Sequence, residues 1–157
     1  MALEKNVNSF VDTDDADFYF STSLYASYWN SKSLEEKEVA LMTATQVLTY
    51  QQWTGRAVNS NQTIAFPRSD YYEDPMIGDI VAMDPTPSRI LTATYELAIH
   101  VMKNPELFDE ESSVKSIKVG SIELTDIRSK RKIPSKVNIL IAPLLINGGQ
   151  NLWHRSN

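Results

Sequence analysis

The sequence predicts a mainly α fold: a helical bundle of about four helices, with a small β-hairpin or extended element before the last helix. Three observations carry that reading. Residues 33–53 form an uninterrupted amphipathic run, residues 86–104 repeat apolar side chains at helical spacing, and the period shifts to two between residues 114 and 124. A length of 157 residues and 42% hydrophobic content fit one domain with a real core. That domain is residues 1–149, with a surface excursion at 70–85 and a β element at 114–127; residues 150–157 are a tail.

Residues 1–11 read as an extended lead-in. Asp12 is placed to cap a short helix that runs to about Ser23 and carries Ala16, Phe18, Tyr19 and Phe20, with Asp15 at its third position. The acids Asp12, Asp14, Asp15 and Asp17 do not make a calcium loop. Ala16 stands where a ligand is needed, the loop glycine is missing and no Glu closes it. Capping and complementarity to the helix dipole account for them. Residues 23–32 are a connector with Tyr25, Tyr28 and Trp29, and Trp29 is expected to pack on the helices that flank it.

The central helix opens with a capping box. The Ser33 oxygen accepts an orphan backbone N–H and the Glu36 carboxylate reaches back. Glu35, Glu36 and Glu38 suit the positive end of the dipole, and Gly55 is placed to stop the helix. Its apolar residues form two groups. Ala40, Leu41, Ala44, Val47 and Leu48 share one side; Val39, Met42, Tyr50 and Trp53 share another. A helix at the edge of a monomer needs one apolar face. Two predict packing on both sides, within a bundle or between subunits.

Residues 54–85 lack clear periodicity, and a loop that long is usually functional or pinned by partners. Ile64, Ala65 and Phe66 with Pro67 and Arg68 are its expected anchor. Thr86 as cap and Pro87 at the first position open the next helix. Ile90, Leu91, Thr94, Tyr95, Leu97, Ala98, Val101 and Met102 lie on one face of it. Arg89, Thr92, Glu96, His100 and Lys103 lie on the other, with Glu96 and His100 as a solvated pair. Residues 107–113 are an acidic linker. Val114, Ile117 and Val119, then Ile122 and Leu124, alternate with polar residues on either side of Gly120. A basic loop follows at 128–132. Pro134 opens the last helix, which carries Val137, Leu140, Ile141, Leu144 and Leu145, is kinked or shortened by Pro143 and stops at Gly148 and Gly149.

Charge is segregated. Residues 1–111 hold 7 Lys and Arg against 18 Asp and Glu, whereas residues 112–157 hold 8 against 2. An acidic body with a basic final third points to two surfaces that meet different neighbours. The absence of cysteine excludes disulfides and thiol catalysis. No apolar run approaches the roughly 20 residues needed to span a bilayer, and the opening residues lack a signal-peptide plan. A soluble chain made in a cytoplasm is expected. Neither His100 nor His154 sits in a metal-ligand spacing, and no Gly-rich phosphate loop or nucleophile elbow occurs. Nothing points to an enzyme, a cofactor or a metal.

A series of residues spread over nearly the whole chain carries a family resemblance. Asn8-Ser9-Phe10-Val11 is followed by Ala16-Asp17 and Tyr19-Phe20, then by Trp29, Lys37, Ala40-Leu41, Ala44-Thr45 and Trp53-x-Gly55-Arg56. Next come Gln62 with Phe66-Pro67-Arg68, Pro87 with Glu96-Leu97-Ala98, Lys118-Val119-Gly120-x-Ile122-Glu123, and Ala142-Pro143-Leu144-Leu145. In these the chain resembles the small head–tail connector (adaptor) proteins of tailed bacteriophages, some members of which carry the label DnaT-like single-strand DNA-binding. It departs from them in the acidic stretch at 70–84, in Phe66 where Trp is common, and in the tail after Gly149.

The resemblance implies a helical bundle assembled as a ring, typically of twelve copies, at the head–tail junction of a virion. Its partners are then other copies of itself, the portal protein above and a tail or nozzle protein below. Double-stranded DNA passes through the ring without specific binding. The interface residues expected on this reading are Val39, Met42, Tyr50, Trp53, Lys115, Lys118, Lys130, Arg131, Lys132 and Trp153. The alternatives are a single-stranded DNA-binding module and a tail-completion or assembly factor that makes no ring. The DNA-binding alternative needs a basic groove with exposed aromatics. Tyr25, Tyr28, Trp29, Tyr71 and Tyr72 lie in acidic or neutral stretches, whereas residues 114–136 are basic and hold no aromatic.

Overall fold

The computed structural model describes residues 2–108 and 132–146. Within them the fold is mainly α. Five helices, α1 (Thr13–Phe20), α2 (Ala26–Asn30), α3 (Leu34–Thr49), α4 (Ser88–Lys103) and α5 (Ser135–Ile141), accompany one antiparallel hairpin. The hairpin pairs β1 (Tyr71–Asp74) with β2 (Asp79–Ala82), with Tyr71 opposite Ala82 and Asp74 opposite Asp79. The β element expected at 114–127 lies outside the described residues, as do the basic residues at 128–131 and the tail at 150–157. The described hairpin arises instead in the stretch that shows no period in the sequence.

The cap signals act as expected. Asp12 accepts from the Asp15 N–H at 2.8 Å. Ser33 and Glu36 close a full capping box, with the Glu36 carboxylate accepting the Ser33 N–H at 2.8 Å. Three boundaries move. The connector forms the short helix α2, on which Trp29 is fully buried and stacks on Phe20 at 4.4 Å. Pro87, not Thr86, occupies the cap position of α4. The central helix stops at Thr49 rather than at Trp53, so helical spacing does not apply to Trp53. The Trp53 indole folds back to donate to the Leu48 carbonyl at 2.8 Å, and its ring meets Phe66 edge-on at 4.9 Å.

The two long helices pack on each other, and α5 closes over α4. Ala40, Leu41, Ala44 and Leu48 of α3 face Ile90, Leu97, Ala98 and their neighbours in one core cluster. The expected one-sided α4 is in fact buried on most of its surface, including Ala93 and Ile99. Val137, Ile141 and Leu144 cover the side that α3 leaves open. The α5 helix ends at Ile141, and a 3-10 turn over Ala142–Leu144 accommodates Pro143, whose ring cannot continue an α-helix. The lead-in is not peripheral. Phe10 and Val11 are buried, and the Phe10 N–H donates to the buried Thr45 hydroxyl of α3 at 3.2 Å.

The long loop is pinned by its own residues. Ile64, Ala65, Phe66 and Met83 are buried. Arg68 donates to three carbonyls, those of Thr54 (2.8 Å), Ala65 (3.2 Å) and Gly55 (2.5 Å). Gly55 has φ +73, and a Cβ there would meet the Asp70 Cβ at 2.5 Å, so both backbone and space require glycine. The returning chain joins the same region, since Thr54 N–H donates to Leu144 and Ile146 N–H donates to Gln52.

Candidate functional site

Two kinds of surface stand out among the described residues: an exposed helix stripe, and a projecting hairpin together with an open cleft elsewhere on the chain. The stripe runs along α3. At 100° per residue, Glu35, Val39, Met42, Gln46 and Tyr50 fall on one side of it. Val39 is 51% exposed and Tyr50 77% exposed, while Met42 is partly covered. Tyr50 stands between two grooves. One, of about 390 Å³, runs past Met42, Val7 and Ile64. The other, of about 370 Å³, runs past Val47, Phe108, Lys132 and Ile133.

The ten expected interface residues therefore divide. Val39, Met42 and Tyr50 share the α3 stripe, and the exposed Lys132 lies beside it, its ammonium 5.7 Å from the Phe108 ring centroid. Trp53 does not belong with them. It is 4% exposed within the chain's own core, because the helix that would have carried it to the surface ends four residues earlier. Lys115, Lys118, Lys130, Arg131 and Trp153 lie outside the described residues.

The hairpin is held from beneath by a pair that the sequence places on the surface. Arg89, from the first turn of α4, grips Asp74 with both ends of its guanidinium, at 2.7 and 2.8 Å. Asp74 is 6% exposed and also accepts from the Tyr72 hydroxyl (3.2 Å) and the Met76 N–H (2.8 Å). The Arg89 donors, helped by the Met76 N–H, hold the Asp74 carboxyl far below the usual carboxylate range despite its burial. Arg89 further reaches the Leu140 carbonyl at 3.5 Å, linking hairpin, α4 and α5. Above this base, Met76 is 81% exposed, and Ile77, Ile80 and Tyr71 are exposed with it.

The cleft, about 770 Å³, opens where α1 and α2 meet over the middle of α4. Phe18, Leu24 and Tyr25 form its rim, and Leu24 is fully exposed. Tyr19 and Tyr95 stack in its wall at 4.6 Å. The Tyr19 hydroxyl donates to Glu96 Oε1 at 2.5 Å, and Lys136 donates to the same oxygen at 2.6 Å. Burial and the neighbouring carboxylate push the Tyr19 pKa up, and burial pushes Tyr95 up to about 12. Both phenols thus stay protonated at neutral pH, as donors rather than nucleophiles. Glu96 is engaged by Tyr19 and Lys136, and His100 meets Asn104 at 3.3 Å and the Phe108 ring edge-on, which replaces the solvated Glu96–His100 pair expected from spacing.

The remaining charges are mostly structural. Lys5 bonds Asp12 at 3.2 Å and Asp15, and Lys37 bonds Asp17 at 2.8 Å, where the Trp29 indole also donates at 2.6 Å. Among the described residues no group of three or more His, Asp or Glu is arranged to hold a metal ion, and no helix is long and apolar enough to cross a membrane. Those residues carry 9 Lys and Arg against 15 Asp and Glu. Sequence reasoning missed Asp74, Arg89 and the Phe18–Leu24–Tyr25 rim. Arg89 gave a faint signal, as a lone cation in the first turn of a helix, where the dipole disfavours it unless a carboxylate is near.

No curated protein and no solved structure matches the chain. A family model does, over residues 2–155. With nearly every residue inside that match, the chain belongs to the family described as "Putative DnaT-like ssDNA binding protein".

Proposed function

We propose that this protein is a structural, non-enzymatic virion component: a head–tail connector that assembles as a ring, typically of twelve copies, beneath the portal. The single observation behind this reading is the α3 stripe. Val39 and Tyr50 stand exposed on a well-packed helix with the partly covered Met42 between them, flanked by grooves, on a body whose described residues are net acidic. Exposed apolar side chains grouped on one element mark a protein-binding face. An acidic wall also suits a channel through which DNA slides, since a basic one would hold phosphates. The partners on this reading are other copies of the chain, the portal protein, and a tail or nozzle protein.

Native mass spectrometry of the purified chain, alone and with its cognate portal, tests the proposal. Rings, alone or on the portal, are expected. A persistent monomer that ignores the portal removes the reading.

The second reading is a single-stranded DNA-binding module, and the family description favours it over the first. Exposed Tyr25 beside Lys103, with the ammonium 3.4 Å from the ring centroid, is the described pair most like a stacking platform. Tight oligonucleotide binding that weakens steeply with salt, and that is lost in Tyr25→Ala, would establish it in place of the connector. A tail-completion or assembly factor that binds the portal without forming a ring would instead give a complex of low, fixed stoichiometry in the same mass spectra.

A further inference from the structure

We propose that the hairpin of one copy seats its Met76–Ile77 tip in the Phe18–Leu24–Tyr25 cleft of the next copy, so that neighbouring copies join head to tail. The inference rests on the ring reading above and deepens it by naming the contact.

Four observations support the occupant. First, both surfaces are apolar and uncovered: Met76 and Ile77 project from the hairpin, and Phe18, Leu24 and Tyr25 stand around an open cleft of about 770 Å³, roomy enough for two aliphatic side chains. Second, they sit apart on the same chain. The hairpin is fixed to the first turn of α4 through Arg89, whereas the cleft is walled by Tyr95 and Glu96 in the middle of that helix, about 10 Å further along its axis. Two different patches on one chain make a heterologous contact, and such contacts generate rings when the rotation closes. Third, the hairpin is already rigid at its base, because Asp74 is buried and held by Arg89, Tyr72 and the Met76 N–H. A preorganised tip loses little conformational freedom on docking.

Fourth, the charges match. Glu73 and Asp79 flank the tip and are exposed. Lys103 lies over the Tyr25 ring at the rim of the cleft, its ammonium 3.4 Å from the centroid. The other charges that line the cleft are paired within the chain, Asp15 with Lys5 and Glu96 with Lys136. On a body whose described residues are net acidic, the acidic arm therefore meets Lys103 beside an apolar rim.

The chain contains no cysteine, so an engineered pair reports without background. Leu24→Cys and Ile77→Cys both change exposed side chains. The double variant, oxidised alone and with the cognate portal, is expected to give a ladder of covalent multimers on a non-reducing gel. The two single variants mixed together are expected to stop at a heterodimer. Met76→Asp is expected to lower assembly about tenfold or more in native mass spectra. Rings that form without a ladder, or that tolerate Met76→Asp, overturn this contact and leave the ring reading standing. A chain that is monomeric under every condition overturns both.

Discussion

Helices α3 and α4 are each sixteen residues long and pack along one another, but only α4 is enclosed. Eight of its residues are buried, spread over about 240° of arc, against five in α3 confined to about 140°. Apolar content alone reverses the assignment. It gives α3 two faces and α4 one, because Val39, Met42 and Tyr50 read as core and Ala93 and Ile99 go unnoticed. What separates the helices is the third layer. Residues 135–144 close on α4, and the hairpin clamps its first turn, while Val39 and Tyr50 of α3 remain exposed and Met42 between them is only partly covered. A helix with more apolar faces than the chain covers is the one available to another molecule.

Substitutions on the two helices should therefore separate folding from assembly. The largest effect is expected at Arg89. Arg89→Ala strands a buried carboxylate and should cost about 3–5 kcal/mol in denaturant unfolding. The same pair predicts a pH dependence. Because Asp74 titrates lower in the folded chain than in the unfolded one, its stabilisation is complete above the ordinary Asp value of about 4 and is lost as pH falls below it. Acid titration of Asp74→Asn beside the parent should show a shallower loss in the variant. Leu97→Ala, in the fully buried face of α4, should cost about 3 kcal/mol by the same unfolding assay. Ser33→Ala removes one half of the α3 capping box and should cost about 1 kcal/mol. Tyr50→Ser should change monomer stability by no more than about 0.5 kcal/mol while reducing ring formation in native mass spectra. A Tyr50→Ser protein that assembles normally would place the subunit contact away from α3.

Much of the helical frame is legible in the residues. Asp12, Ser33 and Glu36 announce helix starts through donors that any helix must satisfy, and the Phe66 anchor shows as an apolar island beside a proline. The hairpin was invisible for a physical reason. Its inward side chains are Tyr72, Asp74 and Val81, so one of the three is charged and the period of two is hidden. Asp74 reads as buried only once Arg89, fifteen residues on, is known to face it. Several of the residues that carry the resemblance, Trp53-x-Gly55 and Phe66-Pro67-Arg68 among them, prove to be devices that fold the 54–85 loop, and they say nothing of what the chain binds. The α1–α2 cleft was equally hidden, because it depends on a turn that leaves Leu24 and Phe18 outside, and turns of that kind carry no period.

The closure of α4 by residues 135–144 also has a consequence for synthesis. A chain emerging from the ribosome presents α4 long before Val137, Ile141 and Leu144 arrive to cover it, and the Trp53 region waits for Leu144 and Ile146 before its backbone is paired. Until then the nascent protein displays an open apolar groove, the form most exposed to chaperones and to aggregation. A gene interrupted before Pro134 should yield insoluble product, whereas a stop placed just after Ile146 should leave the core able to close.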